Sequence, residues 1–275
     1  MPTVPRGPRT RGTLSDLVAL LALPAFLFVL HVSAPAARDG FALRYGDPSV
    51  VSLWASAFVH ASDAHLYSNL VGYTLAVVPT YLLYFHWGRT RAFWASVAVA
   101  VVFVPPVVNL GSYAYFDSLG IVETTVSRGF SGVVAAFAGG GLAAVVTFVA
   151  DEYGLRRAYW FGQTLVLTVG GVLLVALTDV VEPWQLGIVG VGVVLSLGGL
   201  LAEESAPLAG LRADSTTVVV LAYVTMALLF VVYQLFPADP VRTGSVTNLV
   251  AHAVGLVAGV LLPGSGLVLT GSGAD

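Results

Sequence analysis

The sequence contains no cysteine and no lysine, and it has few charged residues of any kind. The absence of cysteine excludes disulfide bonds, thiol catalysis and cysteine-ligated metal sites. Charged residues make up 10% of the chain, against about 25% in a soluble domain. The net charge of -3 gives no indication of a nucleic-acid partner. In their place the chain has 57% hydrophobic residues and a mean hydropathy of +0.88, which predict a polytopic membrane protein.

Hydropathy predicts an all-α transmembrane bundle of about eight spans, each near the roughly 20 residues that cross a bilayer. The N-terminal apolar run lacks a convincing cleavage site, so it is interpreted as the first span. Flanking the transmembrane domain, 14–263, we expect a cytoplasmic tail, 1–13, and a disordered glycine-rich tail, 264–275. The predicted spans are 14–32, 65–85, 92–110, 129–150, 158–177, 184–201, 216–236 and 245–262.

The arginines orient these spans, because cytoplasmic loops of membrane proteins carry more positive charge than external loops. With the N-terminus inside, the cytoplasmic segments hold Arg6, Arg9, Arg11, Arg89, Arg91, Arg156, Arg157 and Arg212. The external segments hold Arg38, Arg44, Arg128 and Arg242. We therefore expect a multi-pass protein of the cell membrane with both termini in the cytoplasm.

The long loop between the first two predicted spans carries an apolar face at helical spacing over residues 50–59. It is either a helix lying at the membrane interface, with Trp54 at headgroup depth, or an amphipathic loop helix packed on the bundle. His31 and His86 lie at the ends of predicted spans. We interpret both as interfacial residues without a functional role.

A serine flanked by glycines marks the point where a polar loop meets the fourth predicted span. Ser131 is expected about one turn into that helix, where unpaired backbone N–H groups and the helix dipole can hold an oxyanion. Gly129 and Gly132 allow close approach of backbone and substrate. Ser131, Ala135 and Gly139 also form a stripe of small residues, so the alternative is a helix-packing motif.

His252 is expected roughly two turns into the last predicted span, where an ionisable side chain is a functional candidate by default. Gly255 and Gly259 share its helix face and allow a close contact with the small face of the fourth span. Both spans run in the same direction, so Ser131 and His252 are expected at similar depth as a Ser–His dyad. No Asp or Glu lies deep in a predicted span to complete a triad. The alternative is a histidine bonded to a backbone carbonyl for packing.

His60, His65 and Asn69 occur where the long loop enters the second predicted span. His65 and Asn69 are spaced i, i+4 on one helix face, so their N–H groups can donate to an oxyanion near Ser131. His60 is expected to brace the loop. A metal site formed with His252 is the alternative, but no HExxH motif is present and the only nearby carboxylate is Asp63.

The three stretches together resemble the rhomboid family of intramembrane serine proteases. That family carries His-x4-His-x3-Asn on its second span, Gly-x-Ser-Gly on its fourth and His-x2-Gly-x3-Gly on its last. The chain reads His60-Ala-Ser-Asp-Ala-His65-Leu-Tyr-Ser-Asn69, then Gly129-Phe-Ser131-Gly132, then His252-Ala-Val-Gly255-Leu-Val-Ala-Gly259. The resemblance covers about residues 14–150 and 236–263.

This resemblance implies a role for each matched residue. Ser131 would be the nucleophile and His252 the general base and acid. His65 and Asn69, with the backbone N–H of Ser131, would form the oxyanion hole, and His60 would be structural. The implied reaction is cleavage of transmembrane protein substrates near the external face of the membrane, without a cofactor or metal.

The chain also departs from the family pattern. The family core has six spans, so the eight predicted here imply two inserted helices between Ser131 and His252. Because two is an even number, the last span keeps its direction. A non-catalytic rhomboid-like protein that binds or chaperones membrane clients is the main alternative. A transporter or channel is disfavoured because few charges lie within the predicted spans.

Overall fold

Among the residues described by the computed structural model (14–202, 215–239, 241–242 and 245–269), seven helices are long and apolar enough to cross a membrane. The protein is therefore an all-α, multi-pass helical bundle, as predicted. These helices are α1 (Leu14–Ser33), α4 (Asp63–Trp87), α5 (Thr90–Ser118), α6 (Ser131–Tyr153), α7 (Leu155–Leu177), α8 (Pro183–Ala202) and α9 (Ser215–Leu235).

The shorter elements lie in the loops and at the C-terminal end. The shorter helices are α2 (Ala37–Gly40), α3 (Val50–Ala55), α10 (Leu249–Gly259) and α11 (Leu262–Leu269). There are also two 3₁₀ turns among the described residues, Ser56–Phe58 and Val122–Thr124. Two antiparallel ribbons are formed by β1 (Leu43–Arg44) with β2 (Val126–Ser127), and by β3 (Val241–Arg242) with β4 (Ser245–Val246).

Two predictions at the ends of spans are wrong. Helix α5 continues to Ser118, well past the predicted end at residue 110. In place of one span over 245–262, α10 ends at Gly259 and α11 follows after a short break. The tail expected to be disordered from residue 264 is therefore helical as far as Leu269, and the expected tail 1–13 lies outside the described residues. Helix α11 is held against α5 by the Ser96 hydroxyl, which donates to the Leu262 carbonyl at 2.8 Å.

Helix α6 lies at the centre of the bundle. Of its most apolar 18-residue window 78% is buried, compared with 6% for α8. It packs against α4, α5, α7, α9 and α10, whereas α8 packs mainly on α7. Close approach to so many neighbours requires small side chains, and α6 supplies them in the run Gly139-Gly140-Gly141. A residue at the start of α6 is therefore surrounded by other helices.

The long loop is folded against the top of this bundle, at the end where α6 begins. Strand β1 of the loop pairs with β2, which directly precedes α6. Helix α3 packs on α5, and Trp54 donates its indole N–H to the Val101 carbonyl at 3.2 Å. The packed interpretation of the loop helix therefore holds over residues 50–55, although Val50 and Val51 are exposed.

Candidate active site

Ser131 is the first residue of α6, not one turn into the helix as predicted. The chain turns sharply before it, because Gly129 has φ +118°, a conformation that residues with a side chain rarely adopt. The Gly129 N–H donates to the Ser56 carbonyl at 2.9 Å, which ties this turn to the long loop. The first N–H groups of a helix have no partner within the helix. Ser131 therefore lies beside backbone donors available to a bound oxyanion.

His252 lies in the first turn of α10, not two turns in, and it contacts Ser131 directly. Its Nε2 lies 2.8 Å from the Ser131 hydroxyl oxygen. Its Nδ1 lies 2.5 Å from the Leu235 carbonyl oxygen, at the end of α9. His252 is 4% exposed. The two residues paired by the sequence argument are thus within hydrogen-bonding distance.

The two partners of His252 determine its tautomer. A carbonyl oxygen can only accept, so the Nδ1 of His252 must carry the proton donated to Leu235. In the neutral imidazole, Nε2 then has a free lone pair and accepts from the Ser131 hydroxyl. This is the arrangement in which histidine can take the serine proton. The Leu235 carbonyl occupies the place that a carboxylate takes in a triad, and no side-chain pattern in the sequence could reveal a main-chain acceptor.

Glycines set the distance between the helices that carry Ser131 and His252. A methyl group at Gly255 would overlap the Gly132 carbonyl, and one at Gly259 would overlap the Ala136 carbonyl. From the other side, a methyl group at Gly139 would overlap the Leu256 carbonyl. The predicted small faces of the two helices thus meet with backbone against backbone. At the site, Gly132 and Gly255 act as packing residues directly behind the dyad.

His65 and Asn69 lie on α4 against the turn that precedes Ser131. A Cβ atom at Gly129 would be 2.6 Å from the His65 Nε2 and 3.5 Å from the Asn69 Nδ2. Asn69 is 4% exposed, and its Nδ2 has no hydrogen-bond partner among the described residues. A buried donor without a partner is costly, and this one lies near Gly129, which precedes the serine by two residues. The pair is therefore placed to donate to an anion at the start of α6.

A row of imidazoles extends from His65 to the end of α1. The His60 ring is fully buried and meets the His65 ring edge-on at 5.3 Å between centroids, and the His31 ring at 6.3 Å. His31, predicted to be interfacial, is buried at the end of α1, and its Nε2 lies 2.8 Å from an Asp63 carboxylate oxygen. His86 is also bonded, to the Thr217 hydroxyl at 2.7 Å. These histidines brace the loop and the helix ends.

The electrostatics of His60 follow from its burial. Loss of hydration, followed by the neighbouring His65 and His31, lowers the pKa of His60 to about 3. His60 is therefore neutral at physiological pH.

Over the described residues, no group of three His, Cys, Asp or Glu side chains has a metal-binding arrangement.

Comparison of the chain with protein-family models, curated proteins and solved structures finds no match. The interpretation of the site therefore depends on its geometry and on its motifs. That geometry joins residues from three separated stretches of the chain: the 60–69 region, the start of α6 and the start of α10. It adds two groups that sequence analysis did not identify, the Leu235 carbonyl and the His31–Asp63 pair.

Proposed function

We propose that the protein is an intramembrane serine endopeptidase with a rhomboid-like fold, in which Ser131 and His252 form a catalytic dyad. The observation that carries this proposal is the 2.8 Å contact between the Ser131 hydroxyl oxygen and the His252 Nε2. The contact joins residues 121 positions apart in the chain. It occurs at the start of two apolar helices, and the first N–H groups of α6, which have no partner within the helix, are placed to stabilise negative charge.

In the proposed reaction the Ser131 oxygen attacks the carbonyl carbon of a substrate peptide bond. The hydroxyl proton passes to the Nε2 of His252, and the imidazolium is stabilised by its Nδ1–H bond to the Leu235 carbonyl. Negative charge on the tetrahedral intermediate is held by the Ser131 N–H and the side chains of His65 and Asn69. Collapse breaks the C–N bond, and His252 returns the proton to the leaving amine.

The second half of the reaction is the reverse with water in the place of the amine. His252 takes a proton from the water, whose oxygen attacks the acyl carbon bound to Ser131. A second tetrahedral intermediate forms in the same oxyanion site, and its collapse releases the carboxylic acid and restores the serine hydroxyl. The reaction needs no cofactor and no metal.

The substrates we propose are transmembrane proteins cut near the external face of the cell membrane. The start of α6 is external if both termini are cytoplasmic, as the arginine distribution favours. The bundle then comprises a six-span core with α7 and α8 as the inserted pair. Helix α10, continued by α11, takes the place of the last core span. The oligomeric state does not enter this proposal.

Release of membrane-anchored reporters tests the proposal. A pooled library of single-span reporters is expressed with wild-type protein or with Ser131→Ala, and fragments shed into the medium are sequenced. The proposal expects a subset of reporters to be cut within or beside the span, by wild type only. Reporters that co-purify equally with both proteins and are never cut would support the non-catalytic client-binding alternative.

A further inference from the structure

Asn248 forms the start of the helix that carries His252. Its side-chain Oδ1 accepts the Ala251 N–H at 3.0 Å, and its carbonyl accepts the His252 N–H at 3.2 Å. A side chain in this position satisfies a helix N–H that would otherwise lack a partner. Asn248 therefore determines where α10 begins, and His252 follows it by only one turn.

The other end of the Asn248 amide is also held. Its Nδ2 donates to the Ser112 hydroxyl oxygen of α5 at 3.2 Å, and Ser112 is fully buried. Because both polar atoms of the amide are bonded, the side chain cannot rotate without losing one bond. The start of α10 is thus attached to a neighbouring helix, in addition to its glycine contacts with α6.

The Asn248–Ser112 pair lies beside the segment that leads to Ser131. Tyr45 is buried there, and its backbone N–H donates to the Thr125 carbonyl at 3.1 Å. Burial raises the pKa of Tyr45, and the neighbouring Ser127, Ser112 and Asn248 side chains offset part of that rise. Ser127 belongs to β2, four residues before Ser131, just as Asn248 lies four residues before His252. One polar cluster therefore contacts the approaches to both residues of the dyad.

We propose that Asn248, through its hydrogen bond to Ser112, is a positioning residue that holds His252 at hydrogen-bonding distance from Ser131. The inference rests on the proposed function. Neither side chain contacts the reacting atoms; they act by fixing the rotation and height of α10. A displacement of about 1 Å between reacting groups can cost on the order of 100-fold in rate, so the loss of this bond is expected to affect rate more than stability.

A double-mutant cycle in purified protein tests the inference. Asn248→Ser retains a helix-capping hydroxyl but is too short to reach Ser112, and Ser112→Ala removes the acceptor. The measured quantity is the rate of fluorophosphonate labelling of Ser131 in detergent. Each single variant is expected to label about 10- to 100-fold more slowly than wild type. The double variant is expected to be little slower than either single variant, because both remove the same bond.

Ser96→Ala is the matched control. Ser96 is also buried on α5 and donates one hydrogen bond to a neighbouring helix, but it lies 16 residues, or about 24 Å along the helix, from Ser112. It is expected to lower the melting temperature as much as Ser112→Ala while leaving the labelling rate close to that of wild type. If Ser96→Ala and Ser112→Ala lose labelling rate equally, the slower labelling reflects a general loss of stability, and the inference is overturned.

A spectroscopic measurement separates positioning from folding. The Nδ1–H proton of His252, assigned by its absence in His252→Ala, should shift in Asn248→Ser and Ser112→Ala but not in Ser96→Ala. Labelling of wild type together with unchanged rates and an unchanged imidazole signal in the two variants would overturn this inference alone. A wild type that is folded and never labels would instead contradict the proposed function.

Discussion

At the scale of single residues, the unusual feature of the site is a main-chain carbonyl in the place of a carboxylate. The Leu235 carbonyl carries only a partial negative charge, although its place at the end of α9 adds the negative end of the helix dipole. It fixes the tautomer of His252 as a carboxylate would. It avoids the free-energy cost of burying a full charge within the membrane.

The Nδ2 atom of Asn69, which has no partner among the described residues, gives a prediction that separates catalysis from stability. Asn69→Ala removes a proposed oxyanion donor, so the cleavage or labelling rate should fall by about 100- to 1,000-fold. The melting temperature should change little, because the lost Nδ2 has no partner among the described residues and its burial is itself unfavourable.

Asn109→Ala is the control for that prediction. Asn109 is buried to the same degree as Asn69, but its Nδ2 donates to the Leu53 carbonyl and the Ser56 hydroxyl. This variant should lose more stability than Asn69→Ala and less of the rate. A larger loss of stability in Asn69→Ala together with a larger loss of rate in Asn109→Ala would contradict the proposal that Asn69 donates to the oxyanion.

His60 gives a prediction about pH and stability. Its pKa is about 3 in the folded protein and about 6.5 when unfolded, so the unfolded state binds the proton more tightly. Protonation of His60 therefore leaves the free energy of unfolding unchanged above about pH 6.5. As the pH falls from about 6.5 towards 3, it lowers the free energy of unfolding by up to about 1.4 kcal/mol per pH unit. In His60→Phe this part of the pH dependence should disappear, as measured by unfolding in detergent at pH 7, 5 and 4. Parallel profiles for the two proteins would contradict the assignment.

Some of these groups could be predicted from the sequence, and others could not because their positions depend on the three-dimensional structure. The contact between Ser131 and His252, and the place of His65 and Asn69 against the turn before Ser131, could be predicted because these are side chains at motif spacing. The Leu235 carbonyl and the burial of His31 could not, because both depend on where helix ends meet in three dimensions. Its place at the end of a span did not indicate that His31 is buried.

At the scale of elements, the glycine contacts between α6 and α10 hold the dyad together. Gly255→Ala would insert a methyl group against the Gly132 carbonyl, so α10 must move away from α6. We expect labelling of Ser131 to fall by at least about tenfold, with a lower melting temperature. Gly264→Ala, on α11 with open space around it, is the matched control and should retain both values. Full activity in Gly255→Ala would show that this spacing is unimportant.

Element boundaries were predicted less well than element existence. Hydropathy predicted that the third span ends at residue 110, but α5 continues through the more polar residues to Ser118, and the Tyr45 ring of the long loop packs against Phe116 in this extension. Asn248 caps α10 and delays its start relative to the prediction. Both differences arise from hydrogen bonding and packing, which a hydropathy window does not contain. The later start of α10 places His252 in its first turn.

At the scale of the whole molecule, the orientation in the membrane is open to a direct test. The chain has no cysteine, so single cysteines can be introduced without background. Asp47 lies in the loop on the side where α6 begins and Glu152 near the opposite end of α6, and both are exposed. Asp47→Cys should react with a membrane-impermeant maleimide in intact cells, and Glu152→Cys only after permeabilisation. The opposite pattern would place the dyad on the cytoplasmic side.

The bundle also accommodates additional helices without separating the two proposed catalytic residues. Helices α7 and α8 lie between Ser131 and His252 in sequence, but α8 packs mainly on α7 at the edge of the bundle. Two additional spans would return the chain to the side from which it left, which would leave the directions of α9 and α10 unchanged. This even number of inserted spans stays a prediction, whereas the packing of α8 on α7 is seen only in the structure.

Fluorophosphonate labelling of the purified protein, read by mass spectrometry of the modified peptide, tests the central claim most directly. The account predicts a covalent adduct on Ser131 in wild type and none there in Ser131→Ala. His252→Ala should label at least about 100-fold more slowly, because the serine loses its general base. A folded wild type that never labels, or a His252→Ala variant that labels at the wild-type rate, would contradict the claim that Ser131 and His252 form a catalytic dyad.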